Sequence, residues 1–163
     1  MKLQREYLWM ALVLISLLTS CTSDEERLSA QFDALPEVKS VLLYQHSSEF
    51  SGAAGRCKGT LLDGWYGTDL EPKIISELYE EHLLAKGWSI WPEEVVEIWS
   101  KEGENGLYRV HIDVFADPAN ISQQQGGYRF PDSEYAELSL HKTVYLLNVT
   151  YMSSSEATEC FDR

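Results

Sequence analysis

The chain has 163 residues, with 13 Lys and Arg against 26 Asp and Glu and a formal net charge of −13. That length suits one ordinary domain and excludes a large multi-site architecture, while an acidic surface without a basic stripe excludes nucleic acid as a partner. Because 44% of the residues are apolar and 12% aromatic, there is enough apolar surface to offset the entropy of ordering, so a disordered acidic tail is excluded as well.

The first element is a leader. Lys2 and Arg5 precede an apolar run from Tyr7 to Leu18 that is interrupted only by Ser16, which is the pattern of a charged and then an apolar signal region. Twelve helical residues rising about 1.5 Å each span roughly 18 Å, short of the roughly 30 Å hydrocarbon core, so the run suits export better than residence in a bilayer. Leu18-Thr19-Ser20-Cys21 follows. This resembles the lipobox of bacterial lipoprotein precursors. The resemblance implies diacylglyceryl transfer to the Cys21 sulfur, cleavage between Ser20 and Cys21, and acylation of the new amino group, with palmitate among the expected chains. Several acyl chains anchor durably where one is marginal. The implied address is extracytoplasmic and membrane-anchored. Thr22 stands where an Asp would favour the inner membrane, so in a Gram-negative cell the expectation is an outer membrane facing the periplasm. Losing Lys2, Arg5 and Glu6 with the leader brings the net charge to −14.

The expected organisation is therefore a signal peptide over 1–20, a lipidated N-terminus and polar tether over 21–36, and a single domain over 37–163. Export leaves Cys57 and Cys160 as an even pair in a compartment that holds disulfides. A bridge between them would close a loop of about 100 residues, for which the chain-entropy view gives roughly 4 to 5 kcal/mol. The alternative is two unrelated thiols.

Within the domain, Val38 to His46 alternates strand-forming residues, Ser47 to Gly55 reads as a Ser/Gly/Ala loop, and Lys58 to Tyr66 reads as a second strand. Pro72 sits at a first helical position, and Ile74, Ile75, Leu78, Tyr79 and Leu83 form one stripe at helical spacing that ends before Gly87. Trp88 to Trp91 starts an extended piece broken at Pro92, and Val95 to Lys101 follows as a strand. Gly103-Glu104-Asn105-Gly106 is turn chemistry, joining it to Leu107–Phe115 as a hairpin. In that partner strand Tyr108, Val110, Ile112 and Val114 alternate with Leu107, Arg109, His111 and Asp113. Residues 116–142 read as a long Pro-, Gly-, Gln- and Asp-rich loop. Thr143 to Tyr151 is the last strand, and Ser153-Ser154-Ser155-Glu156 carries no apolar pattern of its own.

The order ββαβββ predicts an α+β fold, a two-layer sandwich with a mostly antiparallel sheet of about five strands and one main helix on one face. With Tyr66-Gly67-Thr68 and Lys86-Gly87-Trp88 as its turn signatures, the mature domain looks like other small envelope lipoproteins of unknown role.

The chemistry is sparse. There is no G-x-S-x-G, and His46, His82, His111 and His141 lack zinc-ligand spacing, so no catalytic residue, metal or cofactor is implied. Glu93, Glu94 and Glu97 follow from an acidic composition. The candidate binding face is the polar side of the sheet, with Trp99, Arg109, His111 and Asp113 expected to share it with Asn148 and Thr150, near Trp65. An aromatic group with Arg and His is recognition chemistry. The competing reading is that residues 116–142 fold over this side and make Trp99 core. The expected role is a non-enzymatic, lipid-anchored interaction or assembly module, its partners being the membrane and an envelope protein. The alternative is a small-ligand or cell-wall glycan binding protein.

Overall fold

The segment with the most apolar residues on both of its faces, Thr143–Ser153, takes the centre of the sheet. The computed structural model describes residues 23–36, 38–51, 57–91, 98–122, 124–125 and 128–161. In chain order they form α1 (Asp24–Asp33), β1 (Val41–Ser51), β2 (Lys58–Thr68), α2 (Pro72–Ala85), β3 (Ser89–Ile90), β4 (Ile98–Gly103) and β5 (Gly106–Phe115). After a 3₁₀ turn at Pro118–Asn120 come β6 (Gln124–Gln125), β7 (Tyr128–Arg129), α3 (Asp132–Leu138), β8 (Thr143–Ser153) and α4 (Ser154–Phe161). The main sheet is antiparallel with six strands in the order β1-β2-β8-β5-β4-β3, and β6 and β7 make a separate two-stranded ribbon. The fold is α+β, as the patterning predicts, with a sixth strand and with four helices among the described residues.

The alternation in β8 sorts the two faces. Tyr145, Leu147, Val149 and Tyr151 join a core with Leu62 of β2, Trp99 of β4 and Val110 of β5, and helices α1 and α2 cover it with Leu28, Phe32, Ile75, Tyr79 and Leu83. Val144 and Leu146 point the other way, into a second core with Trp65, Ile121, Phe130 and Leu138. Burying each of these large side chains contributes about 1.5–3 kcal/mol. Layers thus lie on both faces, and the expected two-layer sandwich becomes a sheet with helices on one side and the segment 116–142 on part of the other.

Several boundaries move for identifiable reasons. Ser47–Ser51, expected as loop, continues β1, because Ser47 to Ser51 pair in register with Leu62 to Lys58. The segment 116–142 is built from short elements rather than one loop, and it is anchored by Ile121, Phe130 and Leu138, each about 1% exposed. Ser154–Phe161 is helical although it has no buried residue; Ser153 and Glu156 exchange hydrogen bonds at its start, Ser153 N–H to the Glu156 carboxylate and Glu156 N–H to Ser153 Oγ. In α2 three of the five residues of the expected stripe are inside. Ile75, Tyr79 and Leu83 are buried, while Ile74 and Leu78 are exposed. The helix ends as expected at Gly87, whose φ of +78° suits a residue without Cβ. Trp88 N–H reaches back to the Leu83 carbonyl and Gly87 N–H to the Leu84 carbonyl, so a Schellman cap closes it.

The largest departure is at the N-terminus. The stretch Asp24–Asp33, expected as polar tether with at most a turn or two of helix, is a ten-residue helix. Ser23 and Glu26 form a reciprocal capping box, and Asp24, Glu25 and Glu26 place negative charge in the first turn, both of which stabilise a helix start. Leu28 and Phe32, four residues apart, are on the buried stripe. Gly64 makes room for this docking, since a Cβ there would stand 2.6 Å from Phe32 Cζ. His82 of α2 bonds the Ala34 carbonyl at 3.0 Å and ties the two helices together. Phe32→Ala should therefore cost about 3–5 kcal/mol, read as the urea midpoint of the full chain; an unchanged midpoint would mean that α1 is no part of the folded unit.

Candidate functional site

Register decides where the predicted face residues lie. Trp99 pairs with Val110, and cross-strand partners share a face, so Trp99 sits on the α2 side, 3% exposed within the main core. The expected grouping of Trp99 with Arg109, His111 and Asp113 is corrected here: the structure brings the last three together and sends Trp99 through the sheet. The strand boundary caused the difference. Reading β4 from Val95, now outside the described residues together with Glu93, Glu94 and Glu97, left its phase against β5 unset.

The polar face itself is real. His46, Asp63, Asn148 and His111 occupy one row across β1, β2, β8 and β5. Asn148 Nδ2 donates to Asp63 Oδ1 at 2.7 Å, and His111 Nε2 stands 3.0 Å from Asp113 Oδ1. Burial raises the Asp63 pKa above the usual carboxylate range, against the opposing pull of the Asn148 hydrogen bond and of His46. Beside this row Arg109 is covered: its guanidinium lies 5.6 Å from the Trp91 ring centroid and 5.7 Å from that of Phe161, within cation–π range. The cover is Trp91 together with Phe161 of α4, while the described part of 116–142 closes over Trp65. Cys57 and Cys160 stand at disulfide distance, their Cα atoms 4.6 Å apart, and tie α4 to the start of β2. Cys21 lies outside the described residues. Among the described residues no group of three or more His, Cys, Asp or Glu is placed to hold a metal ion, and no helix is long and apolar enough to cross a membrane.

Two features that the sequence did not single out stand on the other side of the molecule. The first is a cavity of about 840 Å³ at the C-terminal end of α1, walled by Phe32, Asp33, Lys39, Ser40, Leu42, Tyr66, Tyr79 and Tyr145 with Leu35, Pro36, Val38 and Leu147. Tyr66 stacks on Tyr145 with centroids 5.0 Å apart, and Tyr79 meets Tyr145 edge-on at 5.8 Å. Ser40 donates to the Val38 carbonyl and shares a hydrogen bond with the Tyr145 hydroxyl, both at 3.0 Å. Burial pushes the Tyr66 phenol up to about 12, helped by Tyr145 and Asp33, and raises Tyr79 and Tyr145 too. All three stay protonated at neutral pH. The sequence held one signal for this cavity: Tyr66, Tyr79 and Tyr145 fall at core-facing positions, and a buried phenol must find a polar partner.

The second feature is the edge. β1 is the outermost strand at one side of the sheet, eleven residues long and bonded to β2 alone, whereas the opposite edge is the two-residue β3. Natural edges are blunted by charged side chains, above all Lys, by Pro, by bulges or by shortness. β3 is short, but β1 has neither Lys nor Pro, and Val41 and Leu42 are 58% and 47% exposed at its start. A bulge between Leu42 and Tyr44 is its one irregularity.

No family model matches the chain, and no match was found among curated proteins or among solved structures.

Two tests follow from this geometry. Because folding raises the Asp63 pKa, the folded state holds that proton at pH values where the unfolded chain has lost it, and stability falls as pH rises through that window. Asp63→Asn should then be more stable than wild type at pH 7 and lose the advantage in acid, read as urea midpoints at the two pH values. A second test replaces both Cys57 and Cys160 by Ser. This should cost about 2–5 kcal/mol and raise amide exchange most across Ser154–Phe161, since that helix buries no residue of its own.

Proposed function

We propose that this is a lipid-anchored extracytoplasmic protein, held through Cys21, whose domain acts as a non-enzymatic interaction module in the cell envelope, anchored in the outer membrane facing the periplasm where the cell has one. The observation that carries the reading is the long open edge of β1. An extended segment of an envelope protein gains main-chain hydrogen bonds by adding a strand there, which is a recurring mode of peptide recognition. The lipobox supports the address, and the docked α1 supports the geometry: only Thr22 and the cap Ser23 separate Cys21 from the helix. A lipid on Cys21 then holds the domain close to the membrane surface instead of on a leash.

The glycan reading based on the sheet face has weaker support, because Trp99 is core and Arg109 lies under α4.

The test uses the full chain in its own cell envelope. A photo-crosslinking residue at Ser47 on β1 should give one discrete adduct, absent when the same residue replaces Ser76 on α2. Adding Val41→Lys, a gatekeeper charge on the edge, should reduce the adduct about tenfold. Equal adducts from both sites, or an adduct indifferent to the new lysine, would overturn strand addition. In parallel, label from a fatty-acid analogue should appear in wild type and vanish in Cys21→Ser; label that persists would overturn the anchor.

A further inference from the structure

The structure assigns the cavity beside α1 as a binding site for a small uncharged polyhydroxylated ring, a saccharide unit. The assignment is independent of strand addition at β1.

Size comes first. About 840 Å³ falls within the roughly 300–1,000 Å³ of pockets that take small organic ligands. The walls are preformed. Tyr79 and Tyr145 are 2% and 1% exposed and form a fixed backing through ring contacts with each other and with Tyr66. In front of them the half-buried Tyr66 offers aromatic surface, and Leu42 gives an exposed apolar rim. A pre-ordered wall lowers the cost of binding, because less side-chain freedom is lost when the ligand arrives.

Polarity selects the class. The polar groups at the mouth are of mixed kind: Asp33 brings an acceptor and Lys39 a donor, while the Ser40 hydroxyl is already bonded to the Val38 carbonyl and the Tyr145 hydroxyl. The two formal charges oppose one another, so the mouth has no net charge with which to select an anion or a cation. A net charge of −13 over the chain adds a general bias against anions. Burial keeps the phenols neutral. The half-buried Tyr66 and the exposed Leu42, with both donors and acceptors beside them and no net charge, match a sugar ring, whose C–H face packs on these two side chains while its hydroxyls bond the rim. A purely apolar ligand would leave Asp33 and Lys39 desolvated without partners, at a cost.

The experiment is calorimetric titration of the full chain in a detergent without a sugar headgroup. The probes are glucose, N-acetylglucosamine and its uncharged disaccharide, with glucuronate and glucosamine as charged comparators. Saturable binding of at least one neutral probe, stronger than that of either charged one, is expected. Leu42→Arg, at an exposed rim position that the fold does not need, should weaken it about tenfold or more. Tyr66→Phe, which removes only a hydroxyl, should weaken it about threefold. Val41→Lys should leave it unchanged, which separates this site from the edge. No saturable binding of any neutral probe, a preference for a charged one, or binding that Leu42→Arg leaves intact would overturn the assignment.

Discussion

The molecule depends on a single strand that is buried on both sides. From Thr143 to Met152 only Asn148 and Thr150 escape full burial in β8. One set of its side chains carries α1 and α2, and the other carries the segment 116–142. Both layers share β8 with the neighbouring strands, so its apolar residues belong to both cores at once. The two exceptions, Asn148 and Thr150, lie on the polar face, where Asn148 is satisfied by Asp63.

How much of this was legible follows from where the patterns are strong. Alternation in Tyr108–Val114 against Leu107–Asp113, and in Tyr145–Tyr151 against Val144–Thr150, sorted both central strands onto their correct faces, because a period of two is unambiguous when one side is apolar. The Gly87 stop is a local event and was equally readable. Trp99 was misplaced because a strand's face depends on its phase against a neighbour, and the sequence does not mark where β4 begins. Helix α1 was missed since two large apolar residues in ten, Leu28 and Phe32, make a thin stripe; what fixes it is the space at Gly64 and the bond from His82, both distant in sequence. The tail helix α4 buries no residue of its own, and its place comes from Cys160 and Phe161.

The candidate sites divide in the same way. Arg109, His111 and Asp113 belong together, as the alternation says, but what lies over Arg109 could not be read from β5. The cavity and the open edge are products of topology: each needs to know that β1 ends the sheet and that α1 stops short of covering it. Strand order is set by the whole chain, and no local pattern announces it. The cavity and the edge meet at Leu42, which belongs to β1 and lines the cavity as well. A partner lying along the strand and a ligand in the cavity would therefore be neighbours.

The position of β8 in the chain has a consequence for the order of events in folding. β2 and β5 are both hydrogen-bonded to it, yet it is made after either of them. Ahead of it in the chain stand two separate hairpins, β1 with β2 and β4 with β5, which become one sheet only when the strand that begins at Thr143 comes between them. Contacts of such long sequence separation close slowly. The last long strand in chain order is thus the one that couples the two halves of the sheet.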